Sequence, residues 1–278
     1  MLIVYLRKIN LYIMKNIQIL LLFLGISIAS GAQTIQHKLS MPNPETHYFH
    51  VETILSDFEE NELTLVMSVW SPGSYLIREY SKSVNIVRAK DENGKELDIY
   101  KVRKNQWKVE KGNANKVTLN YEVYAFEVSV RTSFLDLTHG YVNGITMFMF
   151  PKGYKDLGGT LTVKPHKSFS KISTALPRKG EGVSNDGRTT TFTFKDFDQL
   201  VDCPMEIGNQ ETFTFKAAGV NHHVAIYGPG NYEIDRLKID MAKVVEAETA
   251  IFGQNPNKDY WFIIHNLDQG SEIGRAHF

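Results

Sequence analysis

From Gln33 to about residue 216 the chain alternates apolar and polar residues with a period of two. That is the pattern of strands that bury one face and wet the other. His47 to Ile54 and Leu63 to Trp70 are two such runs, joined by the polar segment Asp57 to Asn61. Val84 to Ala89, Leu97 to Val102, Gln106 to Val109 and Val117 to Phe126 follow. Shorter runs come at Thr146 to Phe150, Thr160 to Lys164, Thr189 to Phe194 and Glu211 to Lys216. Asn-Gly and Gly-Asn pairs, as at Asn93-Gly94, punctuate the runs as hairpin turns do. No stretch before residue 230 has a helical period. Many short strands at this spacing predict a mainly β chain, with a β-sandwich over residues 33–216 rather than a βαβ fold.

The pattern changes after Gly219. Val224 to Tyr227 reads as a strand ended by Gly228-Pro229-Gly230. Ile234, Leu237, Met241, Val244, Val245, Glu248, Ile251 and Phe252 then step by threes and fours, with Gly253 as a stop. This predicts an amphipathic helix of about five turns. After the breaker Asn255-Pro256-Asn257, Tyr260 to His265 reads as a buried strand. Strand, helix and strand open an α/β layer, so residues 217–271 are expected to begin a second domain.

The start of the chain is an address. Met14-Lys15-Asn16 precedes an apolar run from Ile17 to Ile28, then Ser30-Gly31-Ala32 and polar Gln33. A positive start, a short apolar core and small residues at the end mark residues 1–32 as a secretory signal peptide. The run is short of the ~20 residues that span a bilayer. A secreted or periplasmic protein with no stable membrane anchor after cleavage is therefore expected. Its single cysteine, Cys203, has no partner for an internal disulfide. The 31 basic and 31 acidic residues balance, and the leader holds Arg7, Lys8 and Lys15 with no acid. No positive field remains to select nucleic acid.

Few short motifs carry chemistry. None of the nine histidines is followed by Glu, so the helical His-Glu-x-x-His zinc motif is absent. His47 and His50 fall on opposite faces if both lie in a strand, and His222-His223 read as a solvated or edge pair. Ser71 to Tyr75 is a Pro-Gly turn and lacks the Gly-x-Ser-x-Gly elbow of a hydrolase nucleophile. Arg78-Glu79-Tyr80 reads as a surface ion pair or a polar cluster over a cleft. Arg131 to Asp136 and Thr138 to Gly144 put polar groups into an apolar region, either as function or as the loops any sandwich needs. Asp202 and Glu206 either face a substrate amine or cap turns.

Three segments in order carry a resemblance: Ser71 to Tyr80, Arg131 to Gly144, and Leu200 to Glu206. Together they resemble the glycyl aminopeptidase family of zinc metallopeptidases. Ile234 to Leu237, Val245 to Glu248 and Tyr260 to His265 are similar to the opening of its catalytic domain. The resemblance implies a β N-terminal domain, a thermolysin-like peptidase domain, usually a PDZ domain, and peptide substrates cut near their N-terminus. It implies Zn²⁺ in the intact parent, held by two His and a Glu, with the motif Glu as general base on the metal-bound water. No catalytic or metal residue is assigned in this chain, which is expected to bind no zinc and cut no peptide by itself. Asn143, Asp202 and Glu206, polar groups beside turns at the expected seam, are the substrate-binding candidates. Cys203 stands where the family is expected to have Ser. After His265 the family is expected to run through a glycine-rich turn and Leu-Glu-His, whereas residues 272–278 resemble a translated sequencing adaptor. A periplasmic β-sandwich binding module without catalysis is the competing expectation, which the helix and strand after residue 230 argue against. N-terminal sequencing of exported protein should find Gln33 first, free or cyclised to pyroglutamate; an uncleaved start would contradict the leader.

Overall fold

The computed structural model describes residues 32–71, 76–183 and 186–267, with side chains left out at 181–183. The signal peptide apart from Ala32, most of the Ser71 to Tyr75 turn and the adaptor-like end lie outside the described residues. In chain order the strands are β1 (Thr34–Ser40), β2 (Tyr48–Ser56), β3 (Glu62–Met67), β4 (Val84–Lys90), β5 (Glu96–Arg103) and β6 (Gln106–Glu110). Then come β7 (Lys116–Tyr124), β8 (Phe134–Leu135), β9 (Gly140–Val142), β10 (Met149–Pro151), β11 (Gly159–Lys164) and β12 (Lys171–Thr174). β13 (Arg178–Val183), β14 (Thr190–Phe194), helix α1 (Phe197–Asp202), β15 (Met205–Gly208), β16 (Glu211–Ala217), β17 (Val220–Tyr227), helix α2 (Ile234–Phe252) and β18 (Asp259–His265) complete it. The protein is mainly β.

An eleven-stranded sheet runs β10-β3-β6-β5-β4-β7-β2-β1-β11-β14-β13. Only β1 and β11 pair in parallel there. Alternation predicts which face is wet, and it holds: along β2, Phe49, Val51, Thr53 and Leu55 are buried while the residues between them are half-exposed. β7 does the same with Val117, Leu119, Tyr121 and Val123. Each large apolar side chain buried this way stabilises the fold by about 1.5–3 kcal/mol. A four-stranded sheet, β12-β15-β9-β8, and a three-stranded sheet, β16-β17-β18, stand apart from the large one. In the latter β17 and β18 are parallel and α2 connects them.

β2 and β3 follow one another across the polar segment but do not pair, since β2 lies between β1 and β7 and β3 between β10 and β6. Several expectations are corrected. Thr146 to Phe150 is not one strand: a 3-10 turn occupies Gly144–Thr146 and only Met149–Pro151 is extended. The turn presses on α1, where a Cβ on Gly144 would lie 2.8 Å from the Leu200 carbonyl oxygen. Helix α1 was invisible because six residues are too few to show a period; Asp196 caps it by accepting the Gln199 N–H at 2.7 Å. His47 precedes β2 with φ +64°, and His222 is buried against Phe215 rather than solvated. The helix is as predicted, Ile234 to Phe252, with Gly253 at φ +78° as its left-handed stop. Leu237, Met241, Ala242 and Val245 pack on the buried cluster Phe215, Ala217, Val224 and Ile226. No helix among the described residues is long and apolar enough to cross a membrane.

β1 escaped the sequence pattern because His37 occupies an apolar slot between Ile35 and Leu39. Its Nδ1 is 2.8 Å from Thr53 Oγ1, and its ring lies by Phe148 and Phe194. Burial pulls its pKa down to about 3. The unfolded chain takes up this proton near pH 6.5 and the folded one only near pH 3. Stability should rise with pH across that window, by about 1.4 kcal/mol per unit at most, and be lost on acidification below 6.5. Denaturant melts at several pH values should show His37→Leu flattening the slope by about one proton.

Candidate functional site

The four-stranded sheet faces the three-stranded one through a buried carboxylate. Glu206, the second residue of β15, is paired with Tyr141 of β9 and Ser173 of β12 and is 0% exposed. One carboxylate oxygen accepts from His139 Nδ1 at 2.8 Å and the other from His265 Nε2 at 2.7 Å. His139 is 2% exposed, and His265, the last residue of β18, is half-buried. Burial raises the Glu206 pKa, but the hydrogen bonds and charges of the two imidazoles outweigh it, and the carboxyl is held below its ordinary value.

Each partner is held in turn. Asp136 accepts the backbone N–H groups of Thr138 at 2.7 Å and His139 at 3.1 Å, and its own N–H donates to the His139 carbonyl. That closed turn aims the imidazole inward. Tyr227, at the end of β17, stacks on it with ring centres 3.5 Å apart, and the Tyr227 hydroxyl is 2.7 Å from Thr138 Oγ1. The ring of His265 meets Tyr141 and His139 edge-on. Gln210 donates through Nε2 to Ser173 Oγ and to the Glu206 carbonyl, which fixes β15 against β12. Gly228, at φ +89°, admits the Asn266 backbone beside it, and Asn266 N–H donates to the Tyr227 carbonyl at 2.7 Å.

The three candidates from the sequence fall in different settings. Glu206 is the centre of the cluster. Asn143 is buried and structural in its contacts: its Oδ1 accepts the Ile145 N–H and its Nδ2 donates to the Val130 carbonyl. Asp202 ends α1, half-buried, where its charge adds to burial in pushing the Tyr260 hydroxyl up. Sequence reasoning missed His139, His265 and Tyr227 as parts of one site. Thr138-His139-Gly140 reads as a polar loop, but nothing local pairs it with residues 206 and 265.

Among the described residues, His139, Glu206 and His265 are the group whose donor atoms gather closely enough to hold a metal ion, all within 4.8 Å. Two His and one carboxylate are a zinc-type donor set. The spacing is that of hydrogen bonds, however. Two ligands at 2.0–2.1 Å on one tetrahedral zinc lie about 3.3 Å apart, whereas here each imidazole is already within 2.8 Å of a different carboxylate oxygen. The group as it stands is a satisfied clamp and does not fit zinc.

Residues 36–209 match the peptidase M61 N-terminal domain. A crystal structure of an aminopeptidase N family protein from Idiomarina loihiensis is 28% identical, with a TM-score of 0.79, over 85% of this chain and 40% of that one. A variant of an M1 zinc metallopeptidase from Deinococcus radiodurans has a TM-score of 0.51 at 13% identity, over 85% of this chain and 57% of its own. The same variant bound to a Tyr-Ser-Ala substrate has a TM-score of 0.52. At that identity the likeness is one of fold. No curated protein sequence matches. The chain thus spans well under two thirds of the length of these structures.

Removing a hydrogen-bond donor from a buried carboxylate costs about 1–3 kcal/mol, because the acceptor is left unsatisfied away from water. His139→Ala should lose stability on that scale in urea melts, and His265→Ala less, since water reaches that end. The Glu206 contribution is present above the ordinary carboxylate pKa and is lost as pH falls through the lowered folded value. Glu206→Gln should remove that part of the acid limb.

Proposed function

The chain belongs to the peptidase M61 family through its N-terminal domain at residues 36–209, and from that premise we propose that the whole protein is an exported zinc-dependent aminopeptidase. The observation that carries the reading is the agreement of the family match with a structure 28% identical over 85% of the chain. In this reading residues 33–216 are the β N-terminal domain and residues 217–271 open a thermolysin-like peptidase domain. The substrates are peptides with a free N-terminus, and the location is secreted or periplasmic. Zinc, when bound, supplies a polarised carbonyl and an activated water. No step is routed through the His139, Glu206 and His265 clamp.

The chain's own residues bind and orient. Glu206 has both oxygens engaged, so its part is positioning: it holds the His139 and His265 rings and with them the seam that borders the substrate cleft. Asn143 shapes the turn that packs on α1. Asp202 is the carboxylate with access to the outside, and a carboxylate pairs with a substrate α-amine by charge-assisted hydrogen bonds.

Hydrolysis of unblocked and N-acetylated peptides by the intact enzyme, with zinc content measured in parallel, tests the proposal. Unblocked peptides should be cut and a chelator should abolish cutting. Asn143→Ala, Asp202→Ala and Glu206→Ala should each raise KM or lower kcat/KM at normal zinc content. Unchanged kinetics in all three would remove them from the site. Preference for N-acetylated peptides, or activity that resists zinc removal, would overturn the assignment.

A further inference from the structure

Side chains alternate along a strand, so the face of β18 that carries His265 also carries Trp261, about 13 Å away along the strand. At that end the crevice between the three sheets opens into a cavity of about 480 Å³. Three cations line it, Lys171, Arg178 and Arg188, and none of the described lining residues is acidic. Lys171 Nζ donates to the Gln210 carbonyl and Arg188 gives one N–H to the Lys167 carbonyl. Each keeps further donors. Among the described residues, Asp259 is 3.3 Å from His223 Nε2, and Asp186 accepts the backbone N–H groups of Arg188 and Thr189. Trp261 and His223 stack with ring centres 4.7 Å apart, and both line the cavity.

The other walls identify the ligand class. β12 and β16 both line the cavity, and each is the outer strand of its sheet. An outer strand has backbone N–H and C=O groups without a neighbouring strand, which an extended peptide can pair with. A guanidinium binds a carboxylate through two parallel N–H groups. We propose that this cavity binds the C-terminal end of a peptide, with its carboxylate held by Arg178 and Arg188 and its last side chain against the Trp261–His223 wall. Sugars bearing a carboxylate share the charge but have no use for two strand edges.

The proposal stands apart from the hydrolytic reading, and its test uses peptides whose N-terminus is blocked. Calorimetric titration of the full-length protein with N-acetyl-Ala-Ala-Phe, as the free acid and as the amide, reads the carboxylate directly. The acid should bind at least about tenfold more tightly than the amide, the scale of one charge-assisted hydrogen bond. Arg178→Gln with Arg188→Gln should remove that difference and leave the melting temperature unchanged. Equal binding of acid and amide, binding of neither, or tighter binding of galacturonate than of the peptide acid would overturn it. Should the double variant fold poorly, the acid and amide comparison on the unaltered protein decides the matter.

Discussion

A carboxylate shut away from water must find its whole solvation shell in the protein, and Glu206 finds it in two imidazoles from opposite sides of a seam. The local structure around it follows from that demand. The Asp136 turn exists in the form that aims His139 inward, and Tyr227 covers the ring. β18 must end where His265 can reach, and the close pass of Asn266 over Gly228 sets that end. Gln210 pins the strand that carries the carboxylate. One ionised group thereby couples the middle of a four-stranded sheet to the last strand of a three-stranded one.

The seam so formed has two ends of different character. The closed end is buried, and both Glu206 oxygens are matched there within hydrogen-bond distance. The open end is lined by cations, a Trp–His wall and two strand edges. Crevices between packed layers are where ligands commonly bind, and the difference between the ends comes from the strand itself: β18 presents His265 to one and Trp261 to the other. The chain spans 40% of the length of its 28%-identical structural neighbour.

Much of the fold was legible because it is written in local periods. Phe49, Val51 and Leu55 alternate in the sequence and are buried in alternation. Helix α2 runs over the predicted residues and stops at the predicted glycine. Legibility failed where a residue's chemistry contradicted its environment or where an element was too short. His37 hid β1 by being a polar residue in a core slot, tolerable because Thr53 bonds its ring nitrogen. Helix α1 and the turn at Gly144–Thr146 were too short to show a period and are held by side-chain caps and a close backbone approach.

The sequence by itself determined the mainly β character, the long helix at Ile234–Phe252 and the family resemblance, since these depend on patterns within a few residues or on motifs in order. Only the tertiary structure decided which strands are neighbours, for alternation specifies the face of a strand and not its partner. β2 and β3 are joined by a short turn and still do not pair. It also decided that Glu206 meets His139, 67 residues before it, and His265, 59 residues after it. Hydrogen bonds across such separations depend on the path of the chain through space and leave no trace in the residues that flank them.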